Sequence, residues 1–473
     1  MRGLRPSGML HARFGNHSDT MSRLSRRSFL AGSALWAASR PALAAKPAGE
    51  DVDVIVIGAG AAGIAAARRL AAEKMKVLVF EAQDRIGGRC ATDTSTFGAP
   101  FDLGAHWIHN PEANPVIAAG PATGVYAAPR WQSVRIGARP ARDAELELFL
   151  AAQLRAQRAL REPARGKDAA AQMHLPNDLG AWRPAIEFLL GPYALSKDLD
   201  QVSAADLARS VERSSDSFAA QGYGALLAAR AGGLKIQTSK PVSMIAWGKG
   251  AVLETADSLW YPRAIILTCS TNALIGEDIE FIPPLPKRVH DAAAALALGS
   301  LDHIALDMPG NPFGLQKDDL LIEQSSGRRT AALLANVSGS GLHVVTVGGA
   351  FGRELSGKGE AAMVEFAVQW LSNLFATNVQ RLVRKSRATR WNAREYVYGA
   401  MSVASPGHAE ARKLLMEPLG RVFLAGEALH ETRWGTVEGA WESGTRAAEA
   451  VLHHLGRREP RAETPAKKKR KRR

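Results

Sequence analysis

A strand, a glycine-rich turn and a helix follow one another in the segment DVDVIVIGAGAAGIAAARRLAAEKMKVLVFEA, and this order leaves few folds open. Residues 52–57 form a continuous apolar run of the kind found in buried parallel strands. Residues 61–73 are rich in alanine and predict a helix, and Val77–Phe80 predicts a second strand. Together they form a β-α-β unit, so the sequence predicts an α/β domain with a parallel sheet.

The turn carries the pattern G-x-G-x-x-G, formed by Gly58, Gly60 and Gly63. The first glycine permits a tight turn, the second lets a pyrophosphate approach the backbone, and the third lets the helix pack closely on the strand. The N-terminus of the helix then faces the phosphates. Glu81 ends the second strand, where a carboxylate can accept hydrogen bonds from ribose hydroxyls. All four residues are in register, which favours a bound dinucleotide over a glycine-rich turn without a nucleotide.

The formal net charge of +14 is concentrated at the two ends of the 473-residue chain. The run KKKRKRR at residues 467–473 supplies seven positive charges, and residues 1–50 contribute a balance of +6, so residues 51–466 carry only +1 (14 − 7 − 6). A near-neutral body does not support a basic binding face, and we expect no specific nucleic-acid partner. Residues 457–473 predict a solvated, disordered tail, with electrostatic contact to anionic lipid or nucleic acid as the less favoured alternative.

The N-terminal sequence SRRSFLAGSALWAASRPALA resembles a twin-arginine export signal. Arg26 and Arg27 precede an apolar stretch at residues 29–38, which is too short to span a bilayer, and a small-residue cleavage pattern follows. Residues 1–45 are therefore predicted to be a signal region that the twin-arginine export machinery recognises, which implies a periplasmic or exported location. Translation would start at the first methionine or at Met21. The alternative is an ordinary basic, apolar N-terminus.

Hydrophobic patterns place further elements along the chain. Residues 140–175 are charged, rich in alanine and helical in character, and the segment GEAAMVEFAVQWLSNLF predicts another helix. The segments RAIILTCS and RVFLAGEA predict strands, and Val437–His454 predicts a final helix rich in small residues. Outside the signal region, no segment has the roughly 20 consecutive apolar residues that a membrane span needs, so the chain is not predicted to be transmembrane.

Three further motifs point to one cofactor: DRIGGR at residues 84–89, and FLAGEA and WGTVEGAWESG more than 330 residues later. A nicotinamide domain needs no distant C-terminal segment, whereas the longer FAD molecule can reach a second contact region. The combined pattern resembles the flavin-containing amine oxidase family, which includes monoamine and polyamine oxidases, over most of residues 52–454. The resemblance implies an α/β FAD-binding Rossmann-like domain (GxGxxG) interleaved with an α+β substrate domain.

On this resemblance both domains are discontinuous in sequence. The predicted FAD-binding domain consists of residues 50–125, 211–290 and 415–456, and the predicted substrate-binding domain of residues 126–210 and 291–414.

The resemblance also assigns cofactor contacts. The segment DLGAHWIH would run past the flavin ring, where small residues permit close approach. Val242 would meet the adenine through its backbone, and Gly426 and Glu427 would lie at the ribityl-pyrophosphate. The N-terminus of the last helix would face the N1/C2 edge of the flavin, where negative charge gathers on reduction. The predicted cofactor-binding residues are Gly58, Ala59, Gly60, Gly63, Glu81, Ala82, Gly88, Arg89, Gly104, Ala105, His106, Trp107, Val242, Gly426, Glu427, Thr436, Val437 and Ala440.

His106 and His109 are three residues apart, a spacing that could bind a metal on a helix. The segment reads as extended, and no cysteine or acidic cluster completes a ligand set, so no metal is predicted. His109 is equally consistent with a buried core role and with a functional one. Only Cys90 and Cys269 are present, which excludes a disulfide framework.

In this family a substrate amine C–H bond delivers hydride to flavin N5, and the resulting imine is hydrolysed to an aldehyde and ammonia or an amine. Oxygen then reoxidises the flavin and yields hydrogen peroxide. The resemblance therefore implies a small-molecule amine substrate, with oxygen or another electron acceptor as the second partner. Hydride loss needs the neutral amine, which a desolvated aromatic pocket favours.

The reaction centre departs from the family pattern at several positions. His303 stands where the family holds a lysine that binds a water near N5; it either keeps this role or is an ordinary strand histidine. Met401 and Thr436 stand where two aromatic rings often enclose the amine. Trp391, Tyr396 or Tyr398 could supply the missing ring, or each could be an ordinary core residue. The predicted catalytic residues are His303, Trp391, Met401 and Thr436.

Other positions leave alternatives open. Ala400 occupies the place of the cysteine that binds flavin covalently in some members, so the FAD is expected to be non-covalent. Thr268-Cys269-Ser270 stands where a Thr-x-Pro turn is common. Arg390 and Arg433 could clamp a carboxylate, as an L-amino-acid oxidase needs, or could be structural. A desaturase-like FAD oxidoreductase and an FAD-binding protein with a degenerate site, acting as a binding partner, are the remaining alternatives.

Overall fold

The predicted β-α-β unit is confirmed and belongs to a sheet of five strands, all parallel, called the parallel sheet below. Every residue of Val54–Ile57 is buried, because the sheet is covered on both faces, and this explains the continuous apolar run. The strands, in their order across the sheet, are Ile236–Gln237, Val77–Phe80, Val54–Ile57, Ala264–Leu267 and Val422–Leu424.

Two helices, Ala61–Ala72 and Val437–His454, cover one face of the parallel sheet and pack against each other. They come together through small residues. A Cβ atom on Gly444 would lie 2.0 Å from the carbonyl oxygen of Ala62, a distance that no side chain can occupy. The first and last helices of the described residues are therefore held at backbone contact.

A seven-stranded sheet lies beside the parallel sheet and is called the large sheet below. It is antiparallel, except that Asp319–Glu323 pairs in parallel with Gln132–Ile136. Helices Gly349–Gly357 and Glu360–Phe375 cover one of its faces with apolar side chains. Its strands, in order, are Lys385–Ala388, Leu301–Asp307, Leu342–Gly348, Ala332–Ala335, Asp319–Glu323, Gln132–Ile136 and Arg139–Pro140.

Smaller sheets and helices complete the architecture of the described residues. One mixed sheet contains Lys46–Pro47, Ser258–Trp260, Ala251–Thr255, Val242–Trp247 and Glu280–Ile282; another contains Ile108–His109, Asp216–Ala219 and Val125–Ala127; and Thr92–Asp93 pairs with Phe101–Asp102. The α-helices are Ala61–Ala72, Pro115–Ala118, Asp143–Arg161, Arg183–Phe188, Ala204–Ala208, Tyr223–Ala229, Thr271–Leu274, Lys287–Ala295, Gly349–Gly357, Glu360–Phe375, Ala411–Leu415 and Val437–His454. Not one of these helices combines the length and apolar character that crossing a bilayer requires.

The structure, a computed structural model, describes residues 46–47, 51–129, 132–162, 167–212, 215–248 and 250–456. The predicted signal region and the predicted basic tail lie outside these residues.

Several predicted elements have the observed bounds. Val77–Phe80 and Val437–His454 are confirmed residue for residue, and the helix expected within residues 140–175 is Asp143–Arg161. The first strand begins at Val54, two residues later than predicted. The α/β class with a Rossmann-like half is confirmed, whereas the predicted domain boundaries stay a prediction.

The contact between the first and last helices can be tested by Gly444→Ala. We expect the free energy of unfolding to fall by about 1–3 kcal/mol, because the new methyl group overlaps the Ala62 carbonyl and the helices must separate. The measurement is chemical denaturation. Gly357→Ala is the matched control: it adds a methyl group at a helix end with no atom within 4 Å, so its stability should be unchanged or slightly higher. Equal effects of the two substitutions would contradict the packing argument.

Candidate active site

A cavity of about 780 Å³ opens at the carboxyl ends of the parallel strands, where α/β sheets bind their ligands. Its wall continues onto the large sheet. Most of the predicted site residues line it: Gly58, Gly60, Glu81, Ala82, Gly88, Arg89, Gly104, Ala105, His106, Trp107, Val242, His303, Trp391, Met401, Gly426, Glu427, Thr436, Val437 and Ala440.

Two predicted cofactor residues, Ala59 and Gly63, lie behind this wall. The Ala59 N–H donates to Oε2 of Glu81 at 2.7 Å. A Cβ atom on Gly63 would lie 1.8 Å from the carbonyl oxygen of Gly58, so Gly63 allows the helix to approach the turn. These two residues shape the turn and do not face the cavity.

The glycine turn has the form that a pyrophosphate needs. Gly58 has φ +100°, a left-handed conformation that a side chain would strain. A Cβ atom on Gly60 would meet no protein atom within 4 Å, so the space in front of it is open to a ligand. The helix that begins at Ala61 receives no side-chain cap, which leaves its first N–H groups available to an anion. The turn therefore fits the diphosphate of FAD.

Glu81 lines the cavity beside the segment that carries Val242. Its carboxylate accepts backbone hydrogen bonds from Ala59 at 2.7 Å and from Gln83 at 2.9 Å. Its carbonyl oxygen accepts from the N–H of Lys240 at 2.8 Å, which brings the two segments together. Each carboxylate oxygen keeps a second lone pair, so Glu81 can still accept hydrogen bonds from ribose hydroxyls.

Glu427 is a buried carboxylate that joins three distant segments. Its Oε1 accepts from Arg89 at 2.8 Å and from the N–H of Ser402 at 3.1 Å. Its Oε2 accepts from the Ser402 hydroxyl at 2.7 Å and from the N–H of Gly435 at 2.9 Å. The same Arg89 donates to the carbonyl oxygen of Ala400. Glu427, the second residue of the predicted Gly-Glu motif, thus fixes the cavity wall near Gly435, just before the last helix begins.

Thr436 is the N-cap of the last helix as well as a lining residue. Its hydroxyl accepts from the N–H of Gly439 at 3.0 Å and donates to the carbonyl oxygen of Arg433 at 2.7 Å. The helix therefore starts at the cavity wall, where its N-terminal partial charge favours negative charge on a ligand.

His303 projects from strand Leu301–Asp307 into the wall, and both of its ring nitrogens have partners. Nε2 lies 3.0 Å from the carbonyl oxygen of Gly104, and Nδ1 lies 2.9 Å from the hydroxyl of Thr346. Because a carbonyl only accepts, Nε2 carries the proton and Nδ1 accepts from Thr346. Burial lowers the pKa of His303 to about 4, so the ring is neutral at pH 7. This geometry favours positioning of the Gly104 segment over holding a water, and the catalytic assignment stays a prediction.

His106 shares the same carbonyl. Its Nδ1 lies 3.2 Å from the carbonyl oxygen of Gly104, and its ring centroid lies 5.1 Å from that of His303. Burial, with a smaller contribution from the neighbouring His303, lowers the pKa of His106 to about 3. The two histidines therefore form a neutral wall at this end of the cavity.

One predicted aromatic ring lies at the same end. Trp391 lines the cavity and donates from Nε1 to the carbonyl oxygen of Leu103 at 2.9 Å. Tyr396 also lines the cavity, whereas the hydroxyl of Tyr398 donates to Asp278 at 2.9 Å and its ring is not part of the lining. Met401 lines the cavity beside Gly435. Trp391 and Tyr396 thus remain the candidates for an aromatic wall.

Arg390 and Arg433 do not line this cavity. Arg390 is exposed and donates from Nε to the carbonyl oxygen of Ser356 at 3.0 Å. Arg433 forms an ion pair with Glu442. Arg433 lines a smaller adjoining space together with Thr436, but its guanidinium is paired with Glu442, and Arg390 is directed elsewhere, so the two arginines do not form a carboxylate clamp in the main cavity.

The cysteine positions agree with a non-covalent cofactor. Ala400 lines the cavity, as do Cys90 and Cys269. Burial raises the pKa of the Cys269 thiol to about 12, which keeps it protonated and unreactive. In the TCS turn, Ser270 replaces the usual proline and caps the short helix Thr271–Leu274 by accepting from the N–H of Ala273 at 3.1 Å.

Several polar lining residues were not predicted from the sequence, among them Gln153, Gln157, Tyr193 and Asp216. Gln153 and Gln157 lie four apart in helix Asp143–Arg161, a spacing that puts both on one face, and this signal was available in the sequence. Asp216 binds Nδ1 of His109 at 2.6 Å, and Tyr193 lies nearby on the same wall. His109 is thus hydrogen-bonded to a carboxylate on the adjacent strand, and no local sequence motif predicts this pairing.

The part of the chain that the structure describes contains no set of side chains that could hold a metal ion. Three or more His, Cys, Asp or Glu side chains do not converge anywhere within it. His106 and His109 are separately engaged, by Gly104 and by Asp216.

Comparisons with known proteins identify the family and the fold. A profile of the family described as flavin containing amine oxidoreductase matches residues 138–452, and one described as NAD(P)-binding Rossmann-like domain matches residues 56–119. Polyamine oxidase 4 of Oryza sativa subsp. japonica is 25% identical over 444 residues, which cover 84% of this chain and 88% of that protein.

Lysine-specific histone demethylase 2 of Homo sapiens is 28% identical over 446 residues, which cover 84% of this chain; the chain spans about half (53%) of that relative's length. The solved structure of cyclohexylamine oxidase from Brevibacterium oxydans IH-35A superimposes with a TM-score of 0.70 at 21% identity, covering 86% of this chain and all (100%) of the other. This likeness shows a shared fold.

The role of Glu427 can be tested by Glu427→Gln. The amide keeps one acceptor oxygen but leaves buried donors unpaired, so we expect a loss of about 1–3 kcal/mol in unfolding free energy and a lower flavin content after purification. Denaturation and visible absorbance measure the two effects. Glu431→Gln, an exposed neighbour, should change neither quantity. Full flavin content and wild-type stability in the Glu427 variant would contradict the bridging role.

Proposed function

The chain belongs to the flavin-containing amine oxidoreductase family, and on this basis we propose that it oxidises a small amine, with oxygen as the electron acceptor. It is a flavin-dependent oxidoreductase whose cofactor is FAD, held non-covalently. The observation that carries the proposal is one cavity in which the glycine turn at Gly60 is continuous with a wall formed by Gly104, His303 and Met401.

The proposed reaction converts an amine, oxygen and water into an aldehyde, ammonia or a smaller amine, and hydrogen peroxide. FAD, when bound, supplies the acceptor for the hydride that leaves the carbon next to the amine nitrogen. The imine formed by that loss is hydrolysed by water. The chain itself binds and orients the amine and excludes competing reactions.

The chamber favours the neutral form of the amine, which hydride loss requires. His303 and His106 are neutral because burial lowers the pKa of each ring to about 4 and about 3. Met401 and Trp391 add uncharged surface. Next to these neutral side chains an ammonium ion loses hydration, so its pKa falls and the free base is favoured. The carboxylates of Asp216 and Asp318, which line the same cavity, are engaged by His109 and by Tyr126.

The two histidines fix the geometry of the chamber. Both ring N–H groups point to the Gly104 carbonyl, and the hydroxyl of Thr346 holds His303 from the other side. We propose that this arrangement replaces the lysine expected in the family as the element that orders the flavin-side wall. His303 would then act as a positioning residue.

The first experiment is the anaerobic visible spectrum of the purified protein before and after adding amines and amino acids. We expect a bound-flavin spectrum that small amines bleach and amino acids do not, because Arg390 and Arg433 lie outside the chamber. Readmitted oxygen should restore the spectrum and release peroxide. Bleaching by amino acids alone would contradict the amine assignment. A flavin spectrum that no compound bleaches would favour the degenerate, binding-only alternative.

A second test uses His303→Ala. We expect flavin reduction to slow by about a hundredfold while FAD stays bound, because the Gly104 carbonyl loses a donor and the wall shifts. His303→Gln should recover part of the rate, since its longer side chain can place an amide N–H near the position of Nε2 and donate to the Gly104 carbonyl. The pH dependence of reduction above about pH 5 should be the same in all three proteins, because the His303 ring is already neutral there. Unchanged reduction in the alanine variant would exclude this role.

We also propose export through the twin-arginine pathway, which stays a proposal because residues 1–45 lie outside the described residues. Its support is the Arg26-Arg27 pair with the short apolar stretch that follows. Folded export suits a protein whose cofactor is inserted before translocation.

A further inference from the structure

The outer face of helix Asp143–Arg161 exposes a concentration of apolar surface. Leu148 is 64% exposed, and Leu150 and Leu154 are each 46% exposed. Single exposed leucines are normal on a protein surface, but these three lie within two turns of one helix. The opposite face already packs against the core, for example through the fully buried Phe149. The outer leucines are therefore available to a partner.

The sequence of this face is symmetric about Ala151, with the sign of the charge reversed. Leu148 and Leu154 each lie three residues from Ala151, and Glu147 and Arg155 each lie four residues from it. At 3.6 residues per turn, these five residues fall within an arc of about 120°. All five are exposed, so they form one continuous surface, called the outer face below.

Acidic and basic groups occupy opposite halves of the outer face. Glu147 precedes Ala151, whereas Arg155 and Arg158 follow it and are also exposed. Arg155 lies 3.7 Å from Asp178. The side chains of Glu147 and Arg158 have no hydrogen-bond or ion-pair partner among the described residues. The outer face is therefore complementary in charge to a copy of itself that runs in the opposite direction.

We propose that the outer face is the interface of a homodimer, in which helix Asp143–Arg161 packs antiparallel against the same helix of a second copy. The twofold axis would pass beside Ala151. The leucines of both copies would then pack around the axis, and Glu147 of each copy would face Arg158 of the partner subunit. A twofold dimer requires a self-complementary patch of this kind. An anionic lipid surface fits less well, because it would attract the arginines and repel Glu147.

The proposed contact lies behind a wall of the cavity. The same helix carries Gln153 and Gln157, which line the cavity on the side turned away from Ala151. A second copy would thus cover the outside of this wall and leave the cavity itself free. The proposal is independent of the reaction proposed above.

The first test is the mass of the purified holoprotein by analytical ultracentrifugation from about 1 to 100 µM, where we expect a dimer. Glu147→Arg and Arg158→Glu should each raise the Kd of the dimer at least about tenfold, because symmetry places like charges together twice. The double variant Glu147→Arg/Arg158→Glu brings opposite charges together again and should return Kd to within about threefold of the wild type. Glu365→Arg, which reverses an exposed acid in another long helix, is the matched control and should leave Kd unchanged.

Cysteine cross-linking tests the direction of packing. In Ala151→Cys the two new thiols meet near the axis, so mild oxidation should give a disulfide-linked dimer on a non-reducing gel. Ala144→Cys is the matched control: it is exposed on the same side of the helix, but it lies seven residues from the axis. At 1.5 Å rise per residue its two thiols would be about 21 Å apart, so no cross-link should form.

The thermal midpoint of each charge variant should stay near that of the wild type, which separates loss of the dimer from loss of the fold. A wild-type monomer at about 100 µM, a dimer that neither charge reversal weakens, or a double variant that stays monomeric would overturn the proposal. Equal cross-linking at residues 144 and 151 would overturn the antiparallel arrangement. A monomer that sediments with vesicles of phosphatidylglycerol and phosphatidylcholine would assign the outer face to a lipid surface instead.

Discussion

The buried carboxylate of Glu427 is the interaction on which the site depends. It accepts hydrogen bonds from Arg89 near the start of the fold and from Ser402 and Gly435 near its end. Ser402 in turn contacts Arg412, whose buried guanidinium pairs with Asp206 at 2.8 Å. One hydrogen-bond network thus runs from Arg89, which lines the cavity, through Glu427 and Ser402 to the buried ion pair of Arg412 with Asp206. Removing one member leaves several buried donors without acceptors, which makes the network cooperative.

Two neutral histidines, His303 and His106, hold the backbone at Gly104. A family lysine would bring a positive charge, a long flexible side chain and a bound water. His303 instead offers a planar ring whose two nitrogens are both occupied, by Gly104 and Thr346. The ring is held by hydrogen bonds at both nitrogens, so it fixes the neighbouring backbone with less conformational freedom than an alkyl ammonium would. This difference affects the reactivity of the chamber more than its capacity to bind FAD.

Local sequence patterns predicted the elements whose geometry is local. The glycine turn at Gly58 and Gly60, and strand Val77–Phe80, follow from periodicity and spacing alone. Contacts between residues far apart in the sequence could not be predicted from local patterns. The contact of His109 with Asp216 depends on two strands meeting across 107 positions of sequence. The isolated Oε2 of Glu438 depends on how the last helix packs. Burial and register decide these features, and both are properties of the finished fold.

The meeting of the first and last helices has a consequence for biosynthesis. The turn that binds phosphate ends at Gly63, yet the wall that completes the cavity begins at Gly426 and continues into Val437–His454. A chain still emerging from the ribosome has the first part without the second. It therefore exposes the small-residue face of helix Ala61–Ala72, including the Ala62 carbonyl that Gly444 later covers. We therefore expect flavin to be captured only after the C-terminal helix has been synthesised, and we expect a chain that ends before Gly426 to leave this face of the first helix uncovered.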